Sequence, residues 1–276
     1  MIPGGPFLAE RTSERTLRLM NEKYGLDKPV YVQYINYMKR LVQGDLGYSY
    51  RRQGFTVNQI IAEKFPVSAK VGAIAMAWAI TAGVLMGCVA AVNRNKLIDR
   101  IAMFVCTLGI AVPGFVIGTF LLYQLGVRFK LLPFIGLGSP LNYIMPVITL
   151  SFSPLSYIAR IMRSNMLDAI DQDYIRTARA KGLSSGVIIF KHALKNTIIP
   201  VITYIGPMTV FVLTGGFVVE RIFGIPGLGR YFVESISTRD YTVVMGTTIF
   251  LSVLVISANL LVDILYGIVD PRIRYN

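Results

Sequence analysis

The 276-residue sequence contains one histidine, one tryptophan and two cysteines. A single histidine, His192, cannot assemble a histidine-based metal cluster, and Cys88 and Cys106 both lie inside apolar runs, where cysteine behaves as a small core residue. No glycine is followed by lysine, so no G-x-x-x-x-G-K-[ST] phosphate loop exists and ATP is not bound by that device. H-E-x-x-H is also missing, which removes a common metalloprotease signature. Charge is scarce as well: 16% of residues are charged, against about a quarter in soluble domains. Acidic residues are the scarcer kind, 15 against 28 Lys and Arg, for a net charge of +13.

Apolar residues fill the space, at 54% of the chain. Five runs, 71–93, 101–127, 141–159, 198–219 and 241–262, hold no Asp, Glu, Lys or Arg. Each approaches the roughly 20 apolar residues that cross a hydrocarbon core. Only a helix or a closed barrel satisfies its own backbone in lipid, so these runs predict an all-α integral membrane protein with five visible transmembrane helices. Spans without ionisable side chains argue against a proton relay. They carry backbone-breaking residues instead: Pro113-Gly114, Pro146, Pro154, Gly206-Pro207 and Gly215-Gly216. These read either as kinks around a path or as ordinary membrane-helix packing. The positive charge does not point to nucleic acid, because much of it lies in loops beside the spans, where Lys and Arg set topology.

The 93–100 loop carries Arg94, Lys96 and Arg100, and the 160–197 loop holds seven Lys and Arg against three aspartates. Alternation puts both loops on one side, cytoplasmic by their charge, with 220–240 outside and "DPRIRYN" inside. Residues 1–66 then fall outside despite ten basic residues between Arg11 and Lys64. A tail this basic predicts a further N-terminal span ahead of "MIPGGPF", six in all. Within the tail, "ERTSERTLRLMNEKYGL" and "KPVYVQYINYMKRLVQGDLG" have helical periodicity. Gly25 suits a C-terminal cap, Pro29 a first turn, and Val30, Tyr34, Tyr37, Met38 and Leu41 one face. The expected organisation is an extracytoplasmic helical segment, 1–66, followed by a membrane domain, 67–276.

The most elaborate amphipathic segment lies between two spans: "DYIRTARAKGLSSGVIIFKHALKNTIIP", residues 173–200. Over 166–182, Met166, Ile170, Tyr174 and Ala178 recur at i, i+4 as one apolar stripe. Gly182 breaks the helix through its access to positive φ. A second helix starts near Val187, with Phe190, Ala193, Leu194 and Thr197 on one side and Lys191 and Lys195 on another. Two short helices joined by a glycine at the membrane surface suit a docking element for a cytoplasmic partner.

The segment resembles the signature loop of ABC importer permeases. It departs from the general E-A-A-x-x-x-G pattern, with Arg176-Thr177-Ala178 in place of E-A-A and Lys195 in place of a proline. Both departures match the peptide/nickel branch, whose version reads like Asp173 to Leu183, His192 to Asn196 and Pro200 here. "GDLGYSY" with "FPVSAKVG", "ERIFGIPGLGRYFVESISTRDYTVVMG" and "NLLVDILYGIVDPRIRYN" are similar to other segments of that branch, in the same order.

The resemblance implies a type I ABC importer transmembrane-domain fold and a non-catalytic subunit translocating di- or oligopeptides. Its partners would be a homologous second permease, two cytoplasmic ATPases, an extracytoplasmic binding protein and membrane lipid, without nucleic acid. It would bind no cofactor itself, ATP and magnesium residing on the ATPases, and it would lie in a prokaryotic inner membrane. The docking loop, 160–197, would act through Asp173, Tyr174, Arg176, Thr177, Ala178, Lys181, Gly182, Leu183, His192, Lys195 and Asn196. Of these, Tyr174, Ala178 and Leu183 would form the apolar dock. Gly224, Pro226, Gly227, Gly229, Arg239 and Asp240 would form an outward rim. Nickel or glutathione cargo, and a secondary transporter or channel without ATPases, are the competing readings.

Overall fold

The computed structural model describes residues 14–52, 54–213 and 216–269. The opening "MIPGGPF", Gly215 and the C-terminal "DPRIRYN" lie outside the described residues, as do the side chains of Lys195 and Asn196. Among the described residues there is no strand beyond one isolated bridge between Tyr48 and Thr56.

The chain begins with two short helices, α1 (Glu14–Tyr24) and α2 (Val30–Val42). Gly25 closes α1 at φ +69, as its position predicts. Pro29 is the N-cap of α2 rather than part of its first turn. Of the face expected on α2, Tyr37, Met38 and Leu41 are half-buried, while Val30 and Tyr34 are exposed.

The long rod α3 (Val57–Val92) follows, 36 residues that run unbroken through Pro66 and so across the 66/67 boundary. Its start is fixed by a reciprocal cap: Thr56 accepts from the Gln59 amide, and Gln59 accepts from the Thr56 amide. At about 1.5 Å per residue the helix is longer than a hydrocarbon core is thick.

The 101–127 run is a broken span. α4 (Leu97–Ala111) and α5 (Gly114–Leu121) meet at 107° across Val112-Pro113, and a π-helical stretch, Leu122–Arg128, continues α5. Pro113 lacks the amide that would continue the helix, and Val112 is extended, as a residue before proline prefers.

A 3-10 turn, Pro140–Tyr143, leads into α6 (Ile144–Ile170), which passes through Pro154. α6 packs along α3 at very short range. A Cβ on Gly83 would lie 2.9 Å from the Leu155 carbonyl oxygen, and one on Gly87 would lie 2.6 Å from that of Ala159. Small residues let two backbones approach this closely without a bulky side chain between them.

α7 (Asp173–Ala180), α8 (Ser185–Val187), a π-helical turn (Ile188–Ala193) and α9 (Leu194–Thr197) form the arm between α6 and α10 (Ile199–Leu213). α11 (Phe217–Ile222) and α12 (Leu228–Ser237) precede the last helix, α13 (Tyr241–Val269).

Among the described residues, three helical segments are long and apolar enough to cross a membrane, Val57–Val92, Pro140–Ile170 and Tyr241–Leu261, and the bent pair brings the number to four. The fifth expected span, 198–219, differs: its described part is the 15-residue α10, then α11. Fifteen residues rise about 22 Å, less than a hydrocarbon core of about 30 Å. Pro207 lies inside α10.

Candidate functional site

The arm differs from the single 166–182 helix predicted. α6 ends at Ile170, Asp171 caps it, and α7 restarts at Asp173 after an extended Gln172. The break rotates the apolar stripe. Met166 is fully buried, but the residue that α7 inserts into the bundle is Ile175, together with Ala178. Ala178 is therefore a keel holding the arm to its own bundle, not part of an exposed dock. Its burial follows from facing Ile188 and Ala193 in the same apolar cluster. Tyr174 and Leu183 remain open to the surface, at 39% and 38% exposure, and Val187 and Phe190 join them at 39% and 58%. Phe190 thus faces away from Ala193 and Thr197, because the π-helical turn shifts the register predicted for an α-helix.

Gly182 ends α7 as predicted, at φ +78. The Leu183 amide donates to Ala178 O at 3.4 Å and the Gly182 amide to Arg179 O at 2.9 Å, the pair of bonds of a Schellman cap. A Cβ at Gly182 would meet nothing within 4 Å, so backbone conformation alone selects glycine. Asp173 pairs with Arg176 at 3.6 Å, both largely exposed, and Thr177 Oγ1 donates to Asp173 O. Lys181 is exposed and His192 half-buried. A cavity of about 280 Å³ lies where the arm meets α3 and α6, between Ala91, Leu167, Arg179 and Ile188.

The rim residues gather near the other end of α3. Ser68 of α3 contacts α11 and α12, whereas Ala91 borders the arm. The 23 residues between them span about 35 Å of helix axis. Arm and rim are thus separated by about one membrane thickness.

At the rim, Glu220 of α11 is 3% exposed. Its Oε1 accepts from Ser68 Oγ at 2.6 Å and its Oε2 from the Arg230 amide at 2.8 Å; Ser68 Oγ in turn accepts from the Leu228 amide at 2.8 Å. The carboxylate and the serine together satisfy amides at the start of α12, which a helix leaves without internal partners. This explains "GIPGLG". A Cβ on Gly227 would lie 2.5 Å from both Glu220 Oε2 and Ser68 Oγ, and one on Gly229 2.9 Å from the Phe217 ring. Gly224 turns the chain out of α11 at φ +62, and Pro226 is exposed. Burial pushes the Glu220 carboxyl above its ordinary value, against the opposite pull of the Ser68, Arg230 and Gly229 donors. Sequence reading missed Glu220 and Ser68; the closely spaced glycines beside an acid were the only signal.

Asp240 is not a surface rim residue. It is 3% exposed and accepts from Ser49 Oγ, from the Tyr50 amide at 3.1 Å and from the Arg51 amide at 3.2 Å. Arg239 precedes it, exposed and at φ +57. A second buried acid, Asp99 of α4, receives Arg163 of α6 in a bidentate pair at 2.6 and 2.7 Å, and also the Asn95 amide. Among the described residues no group of three or more His, Cys, Asp or Glu could hold a metal ion.

Apolar helices, a keyed arm at one end and a clamped rim at the other define a multi-pass membrane protein of the transport class. The chain belongs to the family of binding-protein-dependent transport system inner membrane components, whose family model matches residues 80–275. It is 46% identical over 275 residues to the dipeptide transport system permease protein DppB of Bacillus subtilis (strain 168), covering 99% of this chain and 89% of that one. It is 41% identical over 278 residues to the oligopeptide transport system permease protein OppB of Salmonella typhimurium (strain LT2), covering 100% and 91%. Its fold matches a chain of the inward-facing MetNI methionine ABC transporter with a TM-score of 0.64 at 16% identity, covering 77% of this chain and 97% of that one. A chain of an amino acid ABC transporter crystallised with histidines gives a TM-score of 0.54 at 20% identity, covering 75% and 93%. The resemblance read from the 173–200 segment and the flanking motifs is borne out, as is the type I importer fold.

Proposed function

We propose that this chain forms part of the membrane path of an ATP-driven importer of di- or oligopeptides, with the arm as the seat of a cytoplasmic ATPase. One observation carries the reading: Ile175, Ala178, Ile188 and Ala193 key the arm into the bundle, while Tyr174, Leu183, Val187 and Phe190 stay uncovered. A rigidly attached arm with an open apolar surface suits a partner that moves and must move the bundle with it. The 40–46% identity to dipeptide and oligopeptide permeases supports the cargo class.

The basic 93–100 and 160–197 loops favour a cytoplasmic arm, leaving the rim outside to meet a binding protein. ATP and magnesium then belong to the ATPases, and a second, homologous permease completes the path. Ligand-free and cargo-loaded cycles differ in how the ATPases hold the arm, and that difference drives the two states of the spans.

The test is uptake of radiolabelled dipeptide into proteoliposomes holding the chain with its neighbouring permease, ATPases and binding protein. Uptake is expected only with ATP and with all subunits present. Uptake by the chain alone, without an ATPase, overturns the reading; nickel uptake without dipeptide uptake overturns the cargo.

A further inference from the structure

A cavity of about 490 Å³ lies between α1, α2, the 44–56 loop and the start of α13, away from both the arm and the Glu220 clamp. Its volume falls in the range of about 300–1,000 Å³ typical of small-ligand sites. Three features of its wall have no use in the clamp described above. Tyr37, Tyr48 and Tyr50 line it, giving flat surfaces that accept many side-chain shapes. Lys28 and Arg40 also line it, and among the described residues neither is in an ion pair. The Tyr37 hydroxyl is buried without a hydrogen-bond partner. A buried donor left unmatched, with Arg40 one helical turn away and Lys28 on the same wall, suits an anionic acceptor. Glu22, on the same wall, offers one negative charge to a cation at the other end of such a ligand.

We infer that this cavity is a binding site for short peptides, with Tyr37 and Arg40 receiving the free carboxylate and the tyrosine rings holding the side chain. The inference rests on the peptide-importer reading and deepens it. Met245 of α13 forms part of the wall, so an occupant lies directly against the start of the last helix. A peptide released at the rim would be held there before entering the path. Recognition by carboxylate and ring faces is tolerant of sequence, as a carrier of varied peptides requires.

The test uses the complete importer in nanodiscs with a photoreactive dipeptide, glycyl-benzoylphenylalanine, as the free acid and as the C-terminal amide. Cross-links are expected within residues 22–50 or at Met245. They should fall about tenfold for the amide and in Arg40→Glu, the loss of one charge-assisted hydrogen bond. Tyr37→Phe, which leaves the ring in place, should weaken the free acid and leave the amide unchanged. Cross-links elsewhere, or equal labelling by acid and amide, overturn the site. ATP-dependent dipeptide uptake in the same preparation separates the two readings: uptake without labelling here removes only the site, and failure of uptake removes the importer reading with it.

Discussion

The Ser49 hydroxyl donates to the Asp240 carboxylate, 191 residues further along the chain. The same carboxylate takes the Tyr50 and Arg51 amides and the Val243 amide, while Arg51 Nε reaches Thr238 O at 2.7 Å. One acid thus ties the loop ahead of α3 to the start of α13. Asp240→Ala leaves two loop amides unmatched and is expected to cost about 3 kcal/mol. Thermal unfolding in detergent checks the loss, and limited proteolysis should cut first within residues 49–56.

Gly227→Ala places a methyl group against Glu220 and Ser68. Overpacking of a close-fitting site is expected to cost about 2 kcal/mol. Gly138→Ala, where a Cβ meets nothing within 4 Å, should be close to neutral. Comparing the melting temperatures of the two variants checks whether the clamp or glycine content sets the stability.

Glu220 gives a pH dependence of definite sign. Its folded pKa lies above the ordinary value of 4.5, so between those two values the folded state holds the extra proton. Its contribution to stability therefore falls as pH rises through that window and is level above it. Glu220→Gln should remove this segment from the difference between wild-type and variant melting curves. It should also be less stable throughout, because one side of an amide cannot accept from the Arg230 N–H. A difference curve with no slope above pH 4.5 would contradict the assignment.

Asp99 and Arg163 link α4 to α6 through a pair in which the acid is 2% exposed. Removing one partner of such a pair strands the other, at about 3 kcal/mol for Asp99→Ala. In a double-mutant cycle with Arg163→Ala, a coupling of about 2 kcal/mol is expected. Additive losses would show that the two act separately.

Gly182→Val puts a branched side chain at φ +78, a strain of about 1–2 kcal/mol confined to the arm. Membrane insertion should survive while ATP hydrolysis and dipeptide uptake come apart. Unchanged uptake by the variant would refute the arm's coupling role.

Much of this was legible in the sequence. Uncharged runs mark apolar helices, and a glycine after an amphipathic turn marks the end of α7, since both depend on local pattern. Pro113 announces a break, but its 107° angle depends on what α5 packs against. The stripe put Tyr174 where the structure buries Ile175, because Asp171 and Gln172 leave the helix and so rotate every later side chain. Glu220 and Ser68 lie 152 residues apart, and no periodicity connects a lone acid to a serine in another helix. Asp240 looked like surface for the same reason: its partners come from the far end of the chain.

At Gly83 and Gly87 the rod α3 and its neighbour α6 come within touching distance of each other's backbones, leaving no cushion of side chains that could slide. Two struts seated this closely cannot shear past one another, so whatever tilts one carries the other. Because the same rod borders the arm at one tip and the Glu220 clamp at the other, a push at either tip should be felt at both as one stiff beam.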